Sequence, residues 1–126
     1  MNVDEAIAVH VEWKEKLTQY LNQPDGSLDA LAIAADDRCP LGQWLHGEGR
    51  LLTDSVQYND VTMRHARFHM AAAAVVHRVN SGESLSNDLS LGSRSEFAMA
   101  SVELVRALVK LKEMVNRGAD GAEGKN

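Results

Sequence analysis

Apolar positions recur along this chain at steps of three and four, the spacing of amphipathic helices. Ile7, Val11, Leu17 and Leu21, with His10 and Lys14 interleaved, mark a first helix. Asn2 is placed to cap it, with Glu5 three positions on. The run Asn22-Gln23-Pro24-Asp25-Gly26 should stop it. Residues 27–38 are less regular: Leu28, Leu31 and Ile33 among alanines allow only a short helical turn, and Asp36-Asp37 is placed to cap the next helical segment. Pro40 suits a first helical position, where its missing N–H costs little. That puts Cys39 at the cap of a short helix carrying Leu41, Trp44 and Leu45, closed by Gly47-Glu48-Gly49.

A second long helix is predicted over about 55–79, with Val61, Phe68, Ala72, Val75, Val76 and Val79 as its buried stripe and Gly82 just past its end. Phe97, Val102, Leu104, Val105, Leu108, Leu111 and Val115 predict a third, starting near 84 or 89 and ending at 116. Gly92 and its neighbouring serines weaken the start of that helix. No β-alternation competes, so the expected fold class is all-α, a bundle of three long helices and one short one. One domain over 1–117 and a flexible polar tail over 118–126 are expected, with no internal repeat.

Composition narrows the function. Thirteen basic against eighteen acidic residues give a net charge of −5, and the basic residues are scattered. Nucleic acid and anionic membrane are therefore disfavoured as main partners. Asp4 and Glu5 stand where a secretory signal would be basic, and no apolar run reaches membrane-spanning length. A single cysteine permits no internal disulfide. A cytoplasmic protein is the expectation.

That cysteine has suggestive companions. His10 stands upstream, and His65 and His69 stand downstream at i and i+4, where two imidazoles share one helix face. Three imidazoles and one thiolate make a tetrahedral zinc set. Taken singly, each has an ordinary explanation: Cys39 as a buried thiol, His10 as a hydrogen-bonded core ring, the pair as solvent-facing or hydrogen-bonded core residues. A helix N-terminus beside Cys39 would lower its pKa. Gly42 would allow close backbone approach, and Trp44 could cover the site. His46 reads as solvent-facing. His77, eight residues past His69, lies about 12 Å along the axis and out of reach. Asp36 and Asp37 are candidates for orienting a ligating imidazole, though capping the short helix is the favoured role.

Together, His10 with Trp13, Cys39-Pro-Leu-Gly42-Gln-Trp44 and His65-xxx-His69 strongly resemble the chemoreceptor zinc-binding domain family, across nearly the whole chain. The resemblance implies a four-helix bundle with the cysteine on a short extra helical segment. It implies one zinc ion held by His10, Cys39, His65 and His69, and a homodimer. Members are regulatory parts of chemoreceptors or diguanylate cyclases in bacterial chemotaxis and signal transduction, and sense zinc or oxidants such as hypochlorous acid. No methyl-accepting coiled coil or cyclase domain is present here, so a free-standing member or an excised domain is implied.

Four protein ligands leave no position for substrate water, and no glutamate flanks the histidine pair as in HExxH. Nor does a glutamate precede His65 or His69 by three, as di-iron bundles require. A non-enzymatic sensory domain is expected, with Cys39 as the ligand most readily released. A purely structural, zinc-stabilised dimerisation module is the alternative, and a bundle-type metalloenzyme is less favoured.

Overall fold

The computed structural model describes the backbone of residues 2–86 and 90–124 and the side chains of 2–86 and 90–117. Within them the chain is all-α, as expected. The helices are α1 (Val3–Asn22), α2 (Ala30–Ala34), α3 (Pro40–His46), a 3-10 turn (Glu48–Leu52), α4 (Val56–Asn80) and α5 (Glu96–Gly124). The tail expected over 118–126 falls outside the described side chains. No helix among the described residues is long and apolar enough to cross a membrane.

Side chains set most of the boundaries. The Asn2 side chain accepts from Glu5 N at 3.2 Å, and Ser55 Oγ from Tyr58 N at 3.1 Å, each satisfying an orphan amide of the first turn. At the far end of α4, Gly82 N donates to Val79 O and Glu83 N to Arg78 O. With Gly82 at φ +92°, this is a Schellman closure, and it needs a residue tolerant of the left-handed region. α5 starts later than predicted, at Glu96, because Ser95 Oγ accepts from Ala98 N and caps the helix there. The hydrophobic pattern carries no sign of the 3-10 turn.

α4 and α5 pack antiparallel: Arg64 pairs with Glu103 at 2.6 Å, and Phe68 meets Phe97 at 5.4 Å between ring centroids. α1 lies against both. Its start is tied to α5 through Lys112–Asp4, and its end to α4 through Tyr20 Oη, which donates to Asn80 Oδ1 at 2.6 Å. Leu17, Val61, Phe68, Phe97, Leu104, Leu108 and Leu111 fill the centre. α2 covers α4 and buries Ile33.

The buried stripe of α1 is rotated relative to the hydrophobicity pattern. Ala6, His10, Leu17 and Tyr20 point inward, whereas Val11 is 52% exposed. A histidine and a tyrosine thus take core positions that a purely apolar reading assigns to Ile7 and Val11. Both polar atoms are satisfied there, which lets the rings be buried.

Asn80 bridges three segments, since its Nδ2 also donates to Leu28 O at 2.9 Å. Replacing Asn80 with Ala should cost about 1 kcal/mol in urea unfolding, because the buried Tyr20 hydroxyl loses its acceptor. Lys112→Ala, removing an exposed ion pair, should stay within about 0.5 kcal/mol.

Candidate metal centre

His10 projects from the middle of α1, and His65 and His69 from successive turns of α4. Cys39 arrives as the N-cap of α3, its Sγ accepting from Gly42 N at 3.3 Å. One donor atom from each of the four lies within 4.8 Å of all the others. Cys39 Sγ is 3.2 Å from His65 Nε2, 3.7 Å from His69 Nε2 and 3.9 Å from His10 Nε2. His65 and His69 Nε2 are 2.9 Å apart. A tetrahedral zinc site with ordinary bond lengths has edges of about 3.3 to 3.6 Å, which these separations bracket.

The hydrogen bonds of the rings explain what such a cluster can hold. His10 Nδ1 donates to Ala6 O at 2.6 Å, and His69 Nδ1 donates to Ile33 O at 2.8 Å. A neutral ring protonated at Nδ1 carries its lone pair at Nε2, so both rings turn lone pairs toward Cys39. At most two protons, on Sγ and on His65 Nε2, can be shared among the four converging atoms. His65 Nδ1 is itself buried with no hydrogen-bond partner among the described residues. Three imidazoles that are 1%, 0% and 4% exposed thus present an excess of lone pairs to one point. A soft cation relieves that excess, and the donor set suits zinc. The backbone carbonyls behind His10 and His69 fix tautomer and ring orientation.

Burial holds the His10 pKa below its ordinary value, against the Ala6 carbonyl, which raises it. His65 is pushed down to about 3, chiefly by burial and then by the neighbouring His69, His10 and His46. Burial raises the Cys39 pKa, outweighing the Gly42 and Leu41 amides that lower it, and Asp36 raises it further. The depression expected from the helix N-terminus is thus present but smaller than desolvation. Cation binding is therefore coupled to loss of the thiol proton.

α3 is held by close backbone packing. A Cβ at Gly42 would overlap the Asp36 carbonyl oxygen and lie 2.7 Å from its carbonyl carbon, so the 36–39 approach requires glycine there. A Cβ at Gly49 would sit 2.9 Å from the Trp44 ring. Trp44 lies against that glycine and 6.5 Å from Tyr58, whose hydroxyl donates to Leu45 O. It anchors α3 to the following turn. Asp36 pairs with the half-exposed His46 at 3.4 Å and does not orient one of the four rings, and the cap of α3 is Cys39 itself. His77 is exposed. The Ala6 and Ile33 carbonyls could not be anticipated, because backbone acceptors leave no side-chain signature.

Of the four donors only Cys39 is less than fully buried. A cleft of about 100 Å3 between α1 and α3, lined by Glu5, Val9, Pro40 and Leu41, reaches His10 from the surface.

A family model described as chemoreceptor zinc-binding domain matches residues 10–76, more than half of the chain and a span containing all four donors. No curated protein and no solved structure matches.

Gly42→Ala should destabilise the protein by about 1–3 kcal/mol and weaken metal binding, since the Asp36 carbonyl must move and carries Cys39 with it. Unchanged unfolding and metal titrations would contradict that account. The depressed His10 and His65 values set the acid response of the metal-free protein. Below about pH 6.5 the unfolded chain binds protons that the folded one refuses, so stability falls from there toward about pH 3. Thermal midpoints in chelator at pH 7 and pH 4.5 should differ, with the acidic one lower.

Proposed function

Since the chain belongs to the chemoreceptor zinc-binding domain family, we propose that it is a zinc-binding sensory domain whose four ligands to one zinc ion are His10, Cys39, His65 and His69. The observation that carries this reading is the convergence of three buried imidazoles and one thiol within 4.8 Å. Zinc, when bound, would cross-link α1, α4 and the start of α3 and, with four protein ligands, would leave no open position for substrate water.

The four residues play unequal parts. His10, His65 and His69 sit on long helices, and two of them are braced by backbone carbonyls. Cys39 caps a helix of seven residues and is the least buried of the four donors. Two stimuli act at this residue. Falling zinc returns the proton to Sγ, which burial favours. An oxidant of the peroxide or hypohalous acid class adds oxygen to the thiolate sulfur, giving sulfenic acid while hydroxide or halide leaves. In both cases α3 loses the tie to α1 and α4 that runs through the metal, and keeps the Tyr58–Leu45 bond. We extend the reading to a cytoplasmic homodimer that passes this change to a signalling partner of the chemoreceptor or diguanylate cyclase kind. That extension rests on the family's regulatory character.

Metal analysis of purified protein tests the assignment. One zinc per chain is expected, lost in Cys39→Ala and His65→Ala and kept in His46→Ala and His77→Ala. Hypochlorous acid at one equivalent should release zinc in step with loss of the free thiol. Full zinc in both ligand variants would remove the assignment. Zinc retained after complete thiol oxidation would leave a structural site without the sensing role.

A further inference from the structure

α4 and α5 meet through Phe68 and Phe97 on the side that faces α1, where Phe68 also touches the His10 ring. Away from α1 they leave a groove of about 400 Å3. Its floor is small, with Ala71, Ala74 and Ala100. Met70 and Met99 line it at 61% and 54% exposure. Alanines permit close helix approach, and exposed methionines are adaptable apolar contacts that interfaces favour. On α5 the apolar surface continues with Val102 and Val109, 50% and 41% exposed and at helical spacing from Met99.

Charge selects the occupant. Arg67 and Glu96 both line the groove, toward opposite ends, because α4 and α5 are antiparallel and Arg67 lies beside Glu103. Positions 96 and 103 are about 10 Å apart along α5. Glu103 is already paired with Arg64 at 2.6 Å, leaving Arg67 the longer contact at 3.8 Å and a 58% exposed side chain. Glu96 has no ion pair among the described residues. Glu103 also lines the Arg67 end, but its one carboxylate faces the two guanidiniums of Arg64 and Arg67, so that end is net basic, the Glu96 end is acidic, and the surface between is apolar. A two-fold axis through its centre brings each Arg67 to a Glu96 of the other chain and sets the methionines against each other. Such self-complementarity is what an isologous dimer requires.

We infer that the α4–α5 groove is the face on which a second copy of this chain docks, centred on Met70 and Met99 and registered by reciprocal Arg67–Glu96 pairs. The inference rests on the dimeric reading above and adds the face and its pairing.

The full zinc-loaded chain is studied by analytical ultracentrifugation over a range of concentrations, with the zinc content of each variant reporting an intact fold. Arg67→Glu and Glu96→Arg should each weaken the dimer about tenfold or more, because each reversal makes two like-charge contacts. The double variant Arg67→Glu/Glu96→Arg should recover to within about threefold of the original. Met99→Glu should weaken it at least as much as either reversal. A dimer indifferent to all these changes overturns the face and leaves dimerisation standing. Single losses without recovery in the double variant overturn the charge register. A zinc-loaded chain that stays monomeric up to about millimolar concentration overturns both the face and the dimer.

Discussion

Burying three imidazole rings in an apolar core is the constraint that the other features of this bundle answer. Each ring carries two nitrogens, and a nitrogen left without a partner in such surroundings costs free energy on the order of 1–3 kcal/mol. Two are satisfied at once by the Ala6 and Ile33 carbonyls. Those bonds then commit the opposite nitrogens, as lone pairs, to a common point. With two rings on consecutive turns of α4 and one on α1, the relative rotation of the two helices is set by the site as much as by the leucines around it. Val11 lies exposed on α1 while His10 lies buried because of this.

Cys39 joins that point from a different kind of structure. Its sulfur accepts the Gly42 amide, starting α3, and simultaneously faces the three Nε2 atoms. Helix initiation and completion of the donor set are thus one event at one atom. The short helix is then held by contacts that tolerate no added carbon: Asp36 against Gly42, and Trp44 against Gly49. Small displacements of the 36–49 segment translate directly into displacement of the sulfur. Burial keeps the thiol protonated in the absence of a cation, so the segment has two chemically distinct conditions available to it.

Much of this was legible in the chain. The cap at Asn2, the breaker at 22–26, the start of α4 near 55 and the glycine after it follow from local chemistry and fall where that chemistry puts them. The candidate cluster was legible too, because side chains of the right type recur at ligand spacing. Less legible was whatever depends on backbone atoms or on the balance of opposing terms. The start of α5 turned on Ser95 rather than on the apolar pattern. The pKa of Cys39 turned on how far desolvation exceeds the backbone amides that oppose it, which no sequence pattern measures. Asp36 matters here through its carbonyl near Gly42 and its tie to His46, while the sequence suggested a cap or a partner to one of the ligating imidazoles.

The bracing of His10 and His69 by main-chain carbonyls carries a consequence for how such a site can vary. Outer partners supplied by aspartate or glutamate side chains can be adjusted by point mutation, one substitution at a time. Carbonyls cannot. Any residue at position 6 or 33 offers the same oxygen so long as the helix there keeps its path. Selection that strengthens or weakens the grip on a cation is therefore steered away from these rings. It is left to act on the loop before α3, on the glycines that let it pack, and on the pitch at which α2 rests over α4.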